Sequence, residues 1–314
     1  MRKIGIIILL VLCLAFLLLS GCVVNTVIPE TAIGNLGNQE PSEEPGTENP
    51  QKWPGLTGFV EWYGSVEGSM DTWLDNGFNE IRDLRDYQDT INVDGSKEAV
   101  LAANTKGLKF IWGVSSNSFN NPDYTITSTN WLDFRAAILD AAQWAQDNGV
   151  YEFQIGNEEG YHVDVTTMTV AQIITNLKSV ATEVKKIFTN GNVSYSCGSC
   201  FIDGWIAVGK GDIDILASNV YIGGEGDYND NWKTYITNLV DAFGVDGTYI
   251  TEFAPSYSSL EDYSTDEAVQ TAGVTEMIEY MKASGIKRAL FYSWHDYPGG
   301  LFGVVKNDGT YRQY

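Results

Sequence analysis

The residues best suited to chemistry are two glutamates that each end an apolar run. Glu158 follows Gly156-Asn157 in the stretch YEFQIGNEEG, residues 151–160, and Glu252 lies in Thr251-Glu252-Phe253. Two carboxyl groups can share acid–base and nucleophilic work when their surroundings separate their pKa values, one staying protonated and the other ionised. The adjacent Glu159 raises the alternative of a solvated acidic loop, in a chain with 41 Asp and Glu. If the strand continues, Glu159 points away from Glu158, so we read it as a loop residue. Collecting the residues at the C-terminal ends of all strand-like runs gives Trp62, Arg82, Trp112, Asn157, Glu158, Tyr221, Glu252 and Trp294. Both glutamates then share an aromatic, hydrogen-bonding setting. Trp62 and Trp112 read as packing residues, and His162 and His295 as rim contacts.

The elements that must position these residues alternate. Strand-like runs fall at 57–62, 79–84, 108–114, 151–155, 193–197, 213–221, 248–253 and 289–294. Several are apolar almost throughout, as strands covered on both faces should be. Helical patterns separate them. Asn130 is expected to cap a helix with Phe134, Ile138, Ala141 and Ala145 on one face, closed by Gly149. Thr169 and Gln172 form a capping-box pattern ahead of Val170, Ile173, Leu177, Val180, Val184 and Ile187, and Ser264 with Glu267 repeats it before the last long helix. Eight strands with intervening helices predict an α/β fold, a (β/α)8 barrel, whose catalytic groups sit at the C-terminal strand ends. The stretch 295–314 reads as a long loop, so the outer eighth helix is expected to be missing or shortened, with the segment before Gly55 covering that wall.

With the strand-end residues in this order, the sequence resembles the clan A retaining glycoside hydrolases, the group that includes the family 5 cellulases and mannanases. The resemblance runs strand by strand from about Gly55 to Tyr314. It rests on GFNEIR (77–82), GNE (156–158), NVY (219–221), TEF (251–253) and FYSW (291–294), on strands two, four, six, seven and eight. It implies that Glu158 is the acid/base and Glu252 the nucleophile, with carboxyl groups about 5–5.5 Å apart. Arg82 and Tyr221 are then suited to keep Glu252 ionised, Asn157 to bond a sugar 2-hydroxyl, and Trp294 to lie against a sugar ring. Family 5 members carry a histidine ending strand three and another two residues before the strand-six tyrosine. Here Trp112-Gly113-Val114 and Asn219 stand instead, so the chemistry carries over at clan level and the substrate does not. The expectation is a double-displacement hydrolase of a neutral β-linked glycan, with no metal or organic cofactor. A transglycosylase and a non-catalytic surface glycan-binding protein on a degenerate barrel are the alternatives.

Composition limits partners and place. Nineteen basic against 41 acidic residues give a formal net charge of −22, which repels nucleic acid phosphates and anionic lipid headgroups. Arg2 and Lys3 precede an uncharged apolar run over 4–19 that ends in Leu19-Ser20-Gly21-Cys22. That pattern reads as a secretory leader (1–21) and resembles a bacterial lipoprotein box, which implies acylation of Cys22 and an extracytoplasmic protein held on a membrane by its lipid. Residues 22–52 hold Pro29, Pro41, Pro45 and Pro50 among polar residues and read as a flexible tether to the domain at 53–314. Beyond the leader only Cys197 and Cys200 remain, as C-G-S-C. A zinc site needs more ligands than these supply, so they read as a local disulfide or as two buried thiols.

Overall fold

In the computed structural model of the protein, residues 58–60, 66–87, 94–116, 122–222, 231–254, 267–293 and 303–304 are described. The expected runs become eight parallel strands: β1 Gly58–Val60, β2 Glu80–Asp86, β3 Lys109–Ser115, β4 Glu152–Asn157, β5 Asn192–Gly198, β6 Ile215–Asn219, β7 Ile250–Phe253 and β8 Ala289–Tyr292. They pair in sequence order around a closed barrel. Closure comes from β1 beside β8, with Gly58, Phe59 and Val60 in register with Leu290, Phe291 and Tyr292. Each strand is connected to the next through helix, as parallel neighbours require. The helices are α1 Val66–Asp75, α2 Asp94–Lys106, α3 Trp131–Asn148, the single turn α4 Glu159–His162, α5 Val170–Ile187, α6 Ile202–Val208, α7 Trp232–Phe243 and α8 Glu267–Ala283. No helix follows β8 among the described residues, although Val304 packs against the outer core. The stretch before Gly55 and Ser264 lie outside the described residues, as do the leader, Cys22, the tether, Trp62, Trp294 and His295.

The two faces of the strands build two cores. Phe110, Trp112 and Val114 of β3 point outward into the large cluster that the helices cover, whereas Ile111 points inward to join Ile215, Ala217, Tyr249 and Leu290. This is the period-two alternation of a barrel wall. Helix α3 shows the outer seam at work: Phe134, Ile138, Ala141 and Ala145 are buried along one face, and Trp144 meets Trp112 at a centroid distance of 4.4 Å. Trp112 therefore packs, as its sequence context suggested. The capping box of α5 forms with both reciprocal hydrogen bonds. Asn130 precedes α3 without capping it; its side chain instead accepts from the Thr127 N–H and donates to the Thr125 carbonyl. Asn side chains make such local backbone bonds in competition with capping.

Charge is buried at the N-terminal end of the barrel. Arg288 donates from Nε to Glu80 and from Nη1 to Glu152, its guanidinium lies 4.1 Å from the centroid of the Tyr249 ring, and the Tyr249 hydroxyl donates to Glu152. Lys109 stands 3.7 Å from Glu80. Both carboxylates are essentially inaccessible, and each has a cation or a phenol beside it. In barrels of this kind that end serves stability.

Candidate active site

At the opposite end, β2, β4, β6 and β7 converge their last residues. Arg82 is fully buried and its three donor nitrogens each have a partner: Nε donates to Gln154 Oε1 at 2.8 Å, Nη2 to Asn157 Oδ1 at 2.7 Å and Nη1 to Glu252 Oε1 at 2.5 Å. The second oxygen of Glu252 accepts from the Tyr221 hydroxyl, also at 2.5 Å. Both oxygens of Glu252 are thus held by donors, one of them charged, which suits an ionised carboxylate. Arg82 is close to its sequence neighbour Asp83, yet Asp83 pairs with Arg85 and leaves Arg82 to the interior.

Asn157 is oriented from two sides. Its Oδ1 accepts from Arg82 Nη2 and from Asn219 Nδ2 at 3.1 Å, so the amide oxygen faces inward and its NH2 is left to donate toward the mouth. Asn219 is fixed in turn, its own Oδ1 accepting from Ser196 Oγ at 2.9 Å and Thr251 Oγ1 at 2.8 Å. Asn219 occupies the position of one absent family 5 histidine, and it does so as the hub of this network.

Glu158 differs from every other described residue in its backbone. It is the one described non-glycine residue with positive φ, at 61°. Left-handed backbone strains an L residue by roughly 1–2 kcal/mol. The turn is tied by the Glu158 N–H to the Ser196 carbonyl and by the Tyr161 N–H to the Glu158 carbonyl, both at 2.8 Å. Burial raises the Glu158 pKa to about 8, and the charge of Glu252 adds to the rise; a hydrogen bond from Asn219 and the charge of Arg82 oppose it. Its Oε1 is buried with no hydrogen-bond partner among the described residues. Glu158 is therefore protonated at neutral pH, beside a carboxylate held by an arginine.

Of the residues singled out by sequence, Arg82, Asn157, Glu158, Tyr221 and Glu252 come together here, and Trp294 lies outside the described residues. Two expectations are corrected. Glu159 is not an outward loop residue: the chain turns at Glu158, the Glu159 side chain folds back beneath the strand end, and it is completely buried. His162 is not a rim contact but a buried residue of α4, its pKa lowered to about 4 by desolvation. Cys197 and Cys200 are free thiols, the first buried and the second half-buried with its Sγ donating to the Tyr161 hydroxyl at 3.2 Å, so the disulfide alternative does not hold. Gln154, Ser196 and Thr251, to which the sequence alone gave no role, are inward-facing polar residues that alternate with apolar ones. Their alternation was a usable signal: Gln154 sits two residues from Glu152 and so on the same face of β4.

No protein-family model matches the sequence, and no curated protein matches it. Solved structures do resemble the fold. An endocellulase from Pyrococcus horikoshii in complex with cellotetraose is 12% identical with a TM-score of 0.60, over 82% of this chain and 89% of that one. The catalytic domain of the major endoglucanase from Xanthomonas campestris pv. campestris is 14% identical with a TM-score of 0.57, over 82% and 91% of the two chains. A GH113 β-1,4-mannanase is 15% identical with a TM-score of 0.56, over 76% and 88%. At such identities the likeness is one of fold: the chain has a (β/α)8 barrel like those of the clan A glycoside hydrolases, as its strand-end motifs led us to expect.

Proposed function

We propose that the protein is a retaining glycoside hydrolase acting on a β-linked poly- or oligosaccharide. The observation that carries this reading is the pairing of Glu252, held by Arg82 and Tyr221, with Glu158, which burial and the charge of Glu252 keep protonated at neutral pH. In the first step Glu252 attacks the anomeric carbon while Glu158 gives its proton to the departing glycosidic oxygen, leaving a glycosyl ester on Glu252. That ester is neutral, so the repulsion that raised the Glu158 pKa is gone. Glu158, now a carboxylate, takes a proton from water, which attacks the same carbon and frees Glu252. The Asn157 NH2 is the donor for the sugar 2-hydroxyl. The scheme uses no metal and no organic cofactor. β-1,4-Glucan and β-1,4-mannan are the first substrates to try, because the neighbours in fold are named as endocellulases and a β-1,4-mannanase. We place the protein outside the cytoplasm, on a membrane through acylated Cys22, on the strength of the leader sequence alone.

The test combines a glycan panel with azide rescue, using the full-length chain in detergent. Glu252→Ala leaves the buried Arg82 guanidinium facing a small cavity, which is a site for an anion. Azide should occupy it and attack an activated β-glycoside to give the α-glycosyl azide. With Glu158→Ala, azide should replace water in the second step and give the β-azide. Release of reducing ends by wild type with this pair of stereochemical outcomes supports the reading. Wild type that binds a glycan without cleaving any, and binds it equally well as Glu252→Gln, leaves a surface glycan-binding protein instead. Products longer than the substrate point to transglycosylation.

A further inference from the structure

Glu159 is a buried carboxyl group that the proposed reaction does not use. Its Oε1 accepts the backbone N–H of Asn157 at 2.9 Å, and its own N–H donates to the Tyr195 hydroxyl at 3.1 Å. The carboxyl group fills the space beside Gly156, where an added Cβ would lie 2.4 Å from Glu159 Oε2 and 3.0 Å from the Tyr195 ring. The glycine of the G-N-E motif is thus demanded by Glu159. The grip closes around the one strained residue of the site: Asn157 precedes Glu158, Glu159 follows it, and Glu158 lies in the left-handed region between them. Strain of this kind persists only where the surroundings over-determine it.

We infer that Glu159 is a positioning residue, whose buried carboxylate ties the backbone on both sides of Glu158 and so holds the acid in the left-handed turn that turns it toward Glu252. This inference rests on the proposed hydrolase reading for its consequence in catalysis, and on geometry alone for its structural content. Titratable groups are arranged so that the role is readable. Glu158 is on the same turn, Tyr195 of β5 faces Glu159, Cys197 of β5 faces Glu158 and Tyr195, and Arg82 and Glu252 act on Glu158 from β2 and β7. Burial raises the Glu159 pKa to about 7, opposed chiefly by the Asn157 N–H. At the pH where Glu158 titrates, Glu159 is largely ionised and its charge is one of the influences that raise Glu158.

Two substitutions separate charge from position. Glu159→Gln removes the charge and keeps a carbonyl to accept the Asn157 N–H; Glu159→Ala removes both. The first readout needs no turnover: carboxyl-carbon NMR titration of Glu158 in the full-length chain in detergent, assigned with Glu158→Gln. We expect the Glu158 midpoint to fall slightly in Glu159→Gln and much further toward the ordinary carboxylate range in Glu159→Ala, where the turn relaxes and the acid is hydrated. Equal midpoints in the two variants, or no change in either, overturn the positioning role. The second readout is kinetic. Glu159→Ala should lose about 100-fold in kcat, the scale of a small misplacement of a reacting group, with KM within about twofold, and Glu159→Gln should recover most of it. Undiminished kcat in Glu159→Ala overturns the inference. If Glu159→Ala does not fold, Tyr195→Phe, which removes the hydroxyl that bonds both the Glu159 N–H and its carboxyl group, takes its place in both readouts. Wild type without activity on any glycan sinks the hydrolase reading, and the NMR midpoints still decide the role of Glu159.

Discussion

The pairing of Arg82 with Glu252 makes a prediction about stability that can be worked through. Arg82 is fully buried and Glu252 almost so, and the guanidinium spends all three of its donor nitrogens on Gln154, Asn157 and Glu252. Replacing Arg82 with Met strands the Glu252 carboxylate with only the Tyr221 hydroxyl, and removing one partner of a buried pair costs about 3–5 kcal/mol. Replacing Glu252 with Gln removes the charge but leaves an amide oxygen for Arg82, a loss on the order of 1.5–3 kcal/mol for a hydrogen bond to a charged group. In the double variant no buried charge is left uncompensated, so its cost should fall short of the sum by on the order of 2–3 kcal/mol. The assay is urea unfolding of the four proteins followed by circular dichroism, with the slope of each transition compared before free energies are subtracted. Additivity within about 0.5 kcal/mol would refute the reasoning, because independent sites add to that tolerance. It would mean that the two charges are solvated and that Arg82 does not hold Glu252.

Four other outcomes follow from the same geometry. The rate on a β-glycan should fall about tenfold per pH unit above an alkaline limb near 8, where Glu158 loses its proton; a limb below pH 6 contradicts the assignment of Glu158 as acid. Glu158 also bears on folding: its native pKa lies above its unfolded value of about 4.5, so the native state holds more protons between the two and stability falls as pH rises through that window. Glu158→Gln should therefore raise the melting temperature more at pH 8 than at pH 4.5, and an equal change at both is the adverse result. Arg288→Met should destabilise by about 3–5 kcal/mol by leaving buried Glu152 with only the Tyr249 hydroxyl and Glu80 with only Lys109, while kcat of the folded protein stays within about twofold, since the change is at the far end of the barrel. Gly156→Ala should abolish most activity through collision with Glu159 and the Tyr195 ring, and wild-type kcat in that variant would show that the strand end can shift without cost.

Much of this was legible in the sequence because barrel strands carry two signals at once. Runs that are apolar on the outer face and polar at the C-terminal end gave the strands to within a few residues, and the same ends gave Arg82, Asn157, Glu158, Tyr221 and Glu252. Glu159 was misjudged for a physical reason. Strand alternation places it outward, and alternation ends where Glu158 turns left-handed; a non-glycine residue in that region leaves no mark in sequence. Asn130 was read as a cap because Asn favours caps, but two nearby backbone groups claimed its side chain. The ion cluster under the barrel went unread because Glu80, Glu152 and Arg288 are far apart in the chain and only barrel closure joins them.

The two ends of the barrel nevertheless differ in a way that bears on function. At the lower end Glu80 and Glu152 meet Arg288 and Lys109, so carboxylates and cations are equal in number and each carboxylate has a positive or phenolic neighbour. At the mouth three buried carboxyl groups, Glu158, Glu159 and Glu252, share the single guanidinium of Arg82 among the described residues. A buried site with more carboxyl groups than cations lowers its free energy by retaining protons. Glu252 has the cation, so Glu158 keeps its proton up to about pH 8, while Glu159 loses its own near pH 7. Burial and the shortage of positive charge thus act together to keep Glu158 protonated, and a second cation at the mouth would lower its pKa.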